Sequence, residues 1–261
     1  HWINHSWLSQ VIMAFVHLSF VLTRIVIFFG LIIFLSYTML FKLMQKERGN
    51  IFLAVFMILL TIDSSIFHWL ARPHIFSLLL FVITYYYLEQ FQSGHIQTLY
   101  FFPLLILFWV NLHGGFISGF ILISVYLIGN LVKFILSRDE AKKLYRQKTK
   151  VLTLTLLACL FVSLINPYGL EVMLYPMKLI SQGSIIDYIA EFQSPNFHHL
   201  LLVPSKYFLL LMILLIGILK KNLDVIEILL IILFANMALF SQRFIPLFCI
   251  VAAPIFVRNG Q

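Results

Sequence analysis

The sequence has 261 residues, of which 62% are hydrophobic and only 11% are charged, and its formal net charge is +8. Soluble domains are typically about half apolar and a quarter charged, so this composition excludes an ordinary water-soluble fold. In lipid the backbone must satisfy its own hydrogen bonds, which leaves helices or a closed barrel. Unbroken apolar runs such as 25–35 lack the alternation of barrel strands. The fold class predicted is therefore all-α, a polytopic transmembrane helical bundle.

About nine apolar runs follow one another and are interpreted as membrane spans. They cover roughly 21–41, 50–66, 75–89, 98–110, 116–136, 150–165, 205–219, 224–240 and 244–257. Several are shorter than the ~20 residues that cross ~30 Å of hydrocarbon, so tilted or broken helices are expected there. The chain is predicted to form a single transmembrane domain over residues 1–261, with an outer interfacial segment at 1–20 and a long outer loop at 166–204.

The positive charge indicates topology rather than a nucleic-acid partner. Lys and Arg cluster in the connections after the first, fifth and seventh runs, which lie on one side by parity, and positively charged loops are typically cytoplasmic. Every Trp, and every His except His95, then falls on the outer side. Cys159 and Cys249 each lie inside an apolar run, and neither a metal nor a cofactor is predicted. Because the sequence begins at His1 rather than Met, we expect an upstream part.

The turn around residues 71–74 is the first candidate for anion binding. Arg72 and His74 flank Pro73 at a predicted helix start, where free N–H groups and the helix dipole favour negative charge. Arginine also grips phosphate through two parallel hydrogen bonds. The alternative is that Arg72 extends to a lipid head group while His74 caps the helix.

A second outer turn, residues 109–116, joins two apolar runs through two glycines. Asn111 and His113 are its polar side chains, and His113 is a candidate acid, base or hydrogen-bond donor. Glycine permits close approach of a ligand to the backbone. A tight helix–helix turn with capping polar groups is the alternative.

Carboxylates and one further cation complete the candidate set. Asp63 lies near the outer end of the second run, where an ionisable group at membrane depth is a functional hypothesis by default. Its expected partner is Arg72 or Arg243, and a structural ion pair is the alternative. In the long loop Glu191 is a candidate general base, although exposed loop acids are usually only solvated. Arg243 is a second candidate phosphate ligand or, alternatively, another head-group contact.

Six motifs together carry a resemblance that extends over nearly the whole chain. They are His-Trp-Ile-Asn-His-Ser-Trp-Leu-Ser-Gln at 1–10, Ala-Arg-Pro-His at 71–74, Trp-Val-Asn-Leu-His-Gly-Gly-Phe at 109–116, Asn-Pro-Tyr-Gly at 166–169, Glu-Phe-Gln-Ser-Pro at 191–195 and Ser-Gln-Arg-Phe-Ile-Pro at 241–246. This set resembles bacterial GT-C glycosyltransferases of the protein mannosyltransferase and aminoarabinose transferase type. His5 in the first motif is therefore included as a further site residue, together with Asn111.

The resemblance implies transfer of a sugar from a polyprenyl-phosphate donor to an envelope acceptor on the outer face of the bacterial inner membrane. The expected partners are then the lipid-linked sugar donor and membrane lipids. A carboxylate of the first outer loop is implied as the base, but Ser6 occupies the position where the resembling proteins often have Glu. The acid is therefore expected upstream of His1, unless this member has lost activity.

Two other function classes fit the same residues. A transporter or flippase for a lipid-linked or anionic solute would use the outer cations as a binding site. A non-catalytic subunit of an envelope-assembly complex would tolerate changes at Arg72 or His113. Polar clustering on one face favours chemistry there over passage through the membrane.

Overall fold

The computed structural model describes residues 4, 6–46, 50–181, 188–218 and 223–260. Within these residues the chain is helical and no strand occurs, so the all-α prediction is confirmed. The ten α-helices of the described residues are α1 Trp7–Gln45, α2 Ile51–Asp63, α3 His74–Gln92, α4 Phe102–Leu112, α5 Phe116–Leu136, α6 Asp139–Ser163, α7 Leu170–Ser181, α8 Val203–Ile218, α9 Val225–Phe240 and α10 Ile245–Asn259. Each of the nine predicted apolar runs overlaps one of these helices.

Local sequence signals account for several helix starts. The Asn50 side chain accepts hydrogen bonds from two backbone N–H groups of α2. Asp224 and Glu227 form a reciprocal capping box at the start of α9. Pro103 and Pro246 lie in the first turns of α4 and α10, where the missing proline N–H costs nothing.

Three helical segments are long and apolar enough to cross a membrane. They are Thr23–Gln45, Phe116–Leu136 and Leu200–Gly217. Four further apolar helical segments of the described chain are shorter, between 10 and 17 residues. These three helices are compatible with a membrane protein. The number of nine spans stays a prediction.

Two predicted outer segments contain regular structure. Helix α1 has 39 residues, so the helix runs from the predicted interfacial segment without a break into the first predicted span. In the predicted loop 166–204, a turn closed by the bond from Gly169 N–H to Asn166 carbonyl is followed by α7. Gly169 has φ of +52°, a conformation that other residues rarely adopt, which explains a glycine at this helix start.

The chain folds as two compact units. The first comprises residues 1–34 and 71–181. In it α5 packs along α6, α4 contacts both of these helices, and α3 contacts α4 and α5. Trp109 is fully buried, and its ring lies so close to Gly119 that an added Cβ would stand 2.7 Å from the ring. A separate apolar cluster of this unit joins Phe29 and Ile32 of α1 to Ile75, Phe76 and Leu112.

The second unit comprises residues 35–70 and 182–261. Helix α10 packs against α2, α8 and α9, and it is almost entirely buried. Phe208 and Phe248 meet edge to face at 5.7 Å between ring centroids. Buried Glu227 accepts a hydrogen bond from Asn259 at 3.0 Å and pairs with Arg258 at the same distance, which ties the start of α9 to the end of α10.

Candidate functional site

His113 ends α4 and belongs to a chain of hydrogen bonds within the first unit. The indole N–H of buried Trp109 donates to Ser77 Oγ at 2.7 Å. Ser77 Oγ lies 2.8 Å from His113 Nδ1, and the backbone N–H of Gly115 donates to the same nitrogen at 3.0 Å. The imidazole is thus fixed by α3, by α4 and by the turn that leads to α5.

These bonds determine which ring nitrogen carries the hydrogen. An indole N–H can only donate, so Ser77 Oγ accepts from Trp109 and its own hydrogen is free to donate to His113. Because Gly115 N–H also points at His113 Nδ1, that nitrogen acts as an acceptor. In the neutral ring the hydrogen therefore lies on Nε2, which makes His113 a hydrogen-bond donor through Nε2.

This arrangement requires a glycine at position 115, because the space beside it is filled by Ser77 and His113. A Cβ built on Gly115 would lie 2.5 Å from Ser77 Oγ and 2.9 Å from His113 Nδ1. The groups that pack closely on Gly115 are the Ser77 and His113 side chains of the protein itself, and close approach of a ligand there stays a prediction.

The two outer turns predicted from sequence meet in the first unit. Helix α3 begins at His74, directly after Pro73, as the sequence indicates. The rings of His74 and His113 lie 6.5 Å apart between centroids, in an edge-to-face arrangement. Arg72 is exposed two residues before the helix start. Two imidazoles thus lie close together near the start of a 19-residue helix, and Arg72 precedes that start by two residues.

Asn111 is buried, and its amide forms a full set of hydrogen bonds. Its Oδ1 accepts from Trp7 Nε1 at 2.8 Å and from Asn166 Nδ2 at 2.9 Å. Its Nδ2 donates to the carbonyls of Leu107 and Ile165, at 2.8 and 3.1 Å. An amide has two donors and one oxygen with two acceptor positions, so Asn111 retains no capacity for a ligand. Its contacts make it a structural junction between α1, α4 and the turn after α6.

An open, mainly apolar cleft of about 480 Å³ lies beside this junction. Trp7, Leu107, Phe108 and Ile165 are among the residues that line it, and Asn111 and Asn166 form its polar part. Since those two amides are hydrogen-bonded to protein groups, the cleft presents mainly hydrocarbon.

Glu191 and Arg243 come together in the second unit. Residues 190–194 are joined to the turn before α10 by hydrogen bonds from Ser241 Oγ to the Glu191 carbonyl, at 2.9 Å, and from the Gln242 N–H to the Gln193 carbonyl, also at 2.9 Å. The Arg243 guanidinium lies 4.7 Å over the Phe192 ring. Burial lowers the pKa of Arg243, and the negative charge of Glu191 acts in the opposite direction. Arg243 is thus placed over a ring of its own unit, where the charge of Glu191 favours the protonated guanidinium.

Asp63 is exposed at the end of α2, in the second unit. His5 lies outside the described residues, so the structure gives no account of it. Among the described residues no group of three or more His, Cys, Asp or Glu side chains is arranged to hold a metal ion.

Sequence reasoning did not assign Ser77 and Trp109 to the site. Ser77 and Trp109 lie 36 and 4 residues from His113, and no motif links Ser77 with the other two. Trp7 and Asn166 did stand in quoted motifs, but their convergence on Asn111 depends on tertiary packing. No known protein-family model matches the chain, and no protein of curated function is significantly similar to it.

Proposed function

We propose that this protein is a multi-pass membrane glycosyltransferase of the bacterial inner membrane. In this proposal the nine apolar helices span the bilayer and the outer turns face the periplasm or the exterior. The enzyme transfers a sugar from a polyprenyl-phosphate donor to an envelope acceptor, as the GT-C-like motifs suggest.

One observation supports this proposal most strongly. The two outer turns, which are 39 residues apart in sequence, bring the rings of His74 and His113 within 6.5 Å at the start of α3. The dipole of a helix favours anions at its N-terminus. At the start of α3 this support comes from the dipole, since the N–H groups of Ile75 and Phe76 already donate to the carbonyls of Arg72 and Pro73. Exposed Arg72 adds a permanent cation that fits a phosphate.

The proposal gives each residue of this cluster a role. Arg72 and His74 bind the lipid phosphate, and the Nε2–H of His113 donates a hydrogen bond to it. Groups of this kind stabilise the negative charge that develops on a phosphate leaving group, because they are oriented before the reaction begins. A carboxylate would activate the acceptor hydroxyl. Asp63 and Glu191, the candidates from the sequence, belong to the second unit and are not assigned to this cluster.

Transfer of labelled sugar from a polyprenyl-phosphate donor to acceptors in membrane vesicles tests the proposal. We expect Arg72→Ala to reduce transfer by about 10- to 1,000-fold, the range typical of losing one preorganised group at developing charge. Arg72→Lys keeps the charge and loses the planar fork, so it should retain an intermediate rate.

Arg138→Ala is the matched control, since Arg138 is also an exposed arginine next to a helix start. It should transfer at the wild-type rate. Unchanged transfer by the triple variant Arg72→Ala, His74→Ala, His113→Ala would rule out the proposed site. Donor movement across the bilayer without any transfer would instead identify a flippase.

A further inference from the structure

A second charged surface lies at the junction of α5 and α6. We call residues 133–150 the basic elbow; it contains seven Lys or Arg residues and two acidic residues. Its excess of five positive charges is more than half of the net charge of +8. Five of the cations are exposed: Arg138, Lys142, Lys143, Arg146 and Lys150. Among the exposed cations, Lys143 pairs with Glu140 at 2.7 Å and Lys142 lies over the Phe134 ring at 5.6 Å.

The two less exposed cations of the elbow are held by contacts with other helices. Lys148 is only 5% exposed, and its ammonium donates to the backbone carbonyl of Gln92 at 2.8 Å, at the end of α3. Lys133 lies over the ring of Tyr145 at 5.5 Å. These contacts hold the first half of α6 against α3 and α5, so the exposed cations form a surface of fixed orientation.

Large apolar side chains are exposed among these cations. Ile135 is 65% exposed, Leu136 is 73% exposed and Leu144 is 45% exposed. Hydrocarbon beside Lys and Arg is typical of helices that lie at the boundary between acyl chains and head groups. The aliphatic stems of Lys and Arg also pack on apolar surface while their charges reach outward.

The length of α6 is consistent with this position. Residues 139–150 form the charged half of the helix and rise about 18 Å, whereas the head-group layer is only about 5–8 Å thick on each side. The charged half therefore passes the whole head-group layer if the apolar half, 151–163, lies in the hydrocarbon.

We propose that the basic elbow is a binding surface for anionic phospholipid head groups. The proposal rests on the membrane insertion proposed above and is independent of the sugar-transfer site. Each Lys or Arg close to an anionic bilayer adds attraction that fades within a Debye length, so the preference for anionic lipid should weaken as salt is raised.

The test uses the full chain in mixed vesicles of phosphatidylcholine and phosphatidylglycerol. After gentle detergent extraction, mass spectrometry measures the ratio of the two lipids that stay bound. We expect phosphatidylglycerol to be enriched on the wild type. The variant Lys142→Gln, Lys143→Gln, Arg146→Gln, Lys150→Gln should lose that enrichment by about tenfold or more.

A control of opposite sign lies in the first turn of the same helix. Asp139→Asn with Glu140→Gln removes the two exposed acids of the elbow and should increase the enrichment. Glutamine is a good helix former and all six positions are exposed, so these variants should fold, and equal thermal unfolding temperatures would verify it.

Carbonate extraction of membranes separates the possible failures. A chain that resists extraction but binds both lipids equally contradicts the lipid-binding surface and leaves the membrane proposal standing. A chain released by carbonate contradicts both. Loss of RNA binding in the glutamine variant, without any lipid preference in the wild type, would identify a nucleic-acid surface and overturn the proposal.

Discussion

At the residue scale, His113 is defined by its partners more than by its own motif. From the sequence motif alone, His113 could act as an acid, a base or a hydrogen-bond donor. Ser77 Oγ, which accepts from Trp109, and the Gly115 N–H direct two donors at Nδ1 of the ring, and this selects the donor role for Nε2.

Replacing Gly115 tests the close packing of this site. In Gly115→Ala the new methyl group would lie 2.5 Å from Ser77 Oγ, so either the turn or the hydrogen bond must shift. We expect a loss of about 1–3 kcal/mol in stability, the usual cost of forcing a methyl group into packed space. Thermal unfolding in detergent measures it.

Gly30→Ala is the control, because a Cβ at Gly30 meets no atom within 4 Å and alanine favours a helix. It should be neutral or slightly stabilising. If Gly115→Ala unfolds at the same temperature as the wild type, the packing described for the Ser77–His113 pair is wrong.

The hydrogen position on His113 can be observed directly. Ser77→Ala removes one of the two donors at Nδ1, so the Nε2–H tautomer should become less dominant. Nitrogen chemical shifts of a ¹⁵N-histidine-labelled protein report the tautomer. A wild-type ring with its hydrogen on Nδ1 would contradict the donor role.

At the element scale, buried polar contacts connect helices whose surfaces are otherwise apolar. The hydroxyl of Tyr126 in α5 donates to Glu89 in α3, and both side chains are buried. Lys148 in α6 donates to the end of the same α3 helix. A carboxylate is costly to bury unless it is hydrogen-bonded, so the hydrogen bond from Tyr126 lowers the cost of burying Glu89.

Tyr126→Phe keeps the ring and removes only the hydroxyl. We expect it to destabilise the protein by about 1–3 kcal/mol, because Glu89 loses a hydrogen bond in a buried position. Tyr100→Phe is the matched control, since Tyr100 is 73% exposed and should tolerate the change. Equal unfolding temperatures for the two variants would show that the Glu89 contact contributes nothing.

At the scale of the whole molecule, apolar runs predicted the helices well where the runs ended sharply. Helix α5 has the predicted bounds, 116–136, because glycines precede it and Ser137 and the charged residues follow it. Helix α7 was missed, since its 12 residues are too short for a span and follow a proline-containing turn. The extent of α1 was missed as well, because polar residues at its start indicated an interfacial segment.

The candidate site was predictable in part. The residues next to Pro73 and the paired glycines drew attention to His74 and His113, and packing brings these two together. The role of Asn111 was not predictable, because its four hydrogen bonds involve backbone carbonyls and side chains up to 104 residues away. Two helices must be placed side by side before such partners can be identified.

In the proposed enzyme, the start of α3 and the turn before α5 bind a lipid-linked phosphate. The decisive experiment is a cryo-electron microscopy structure of the full protein with polyprenyl phosphate. We expect the phosphate within hydrogen-bonding distance of the Arg72 guanidinium and His113 Nε2. A phosphate bound elsewhere, with Arg72 directed at bulk lipid head groups, would contradict it.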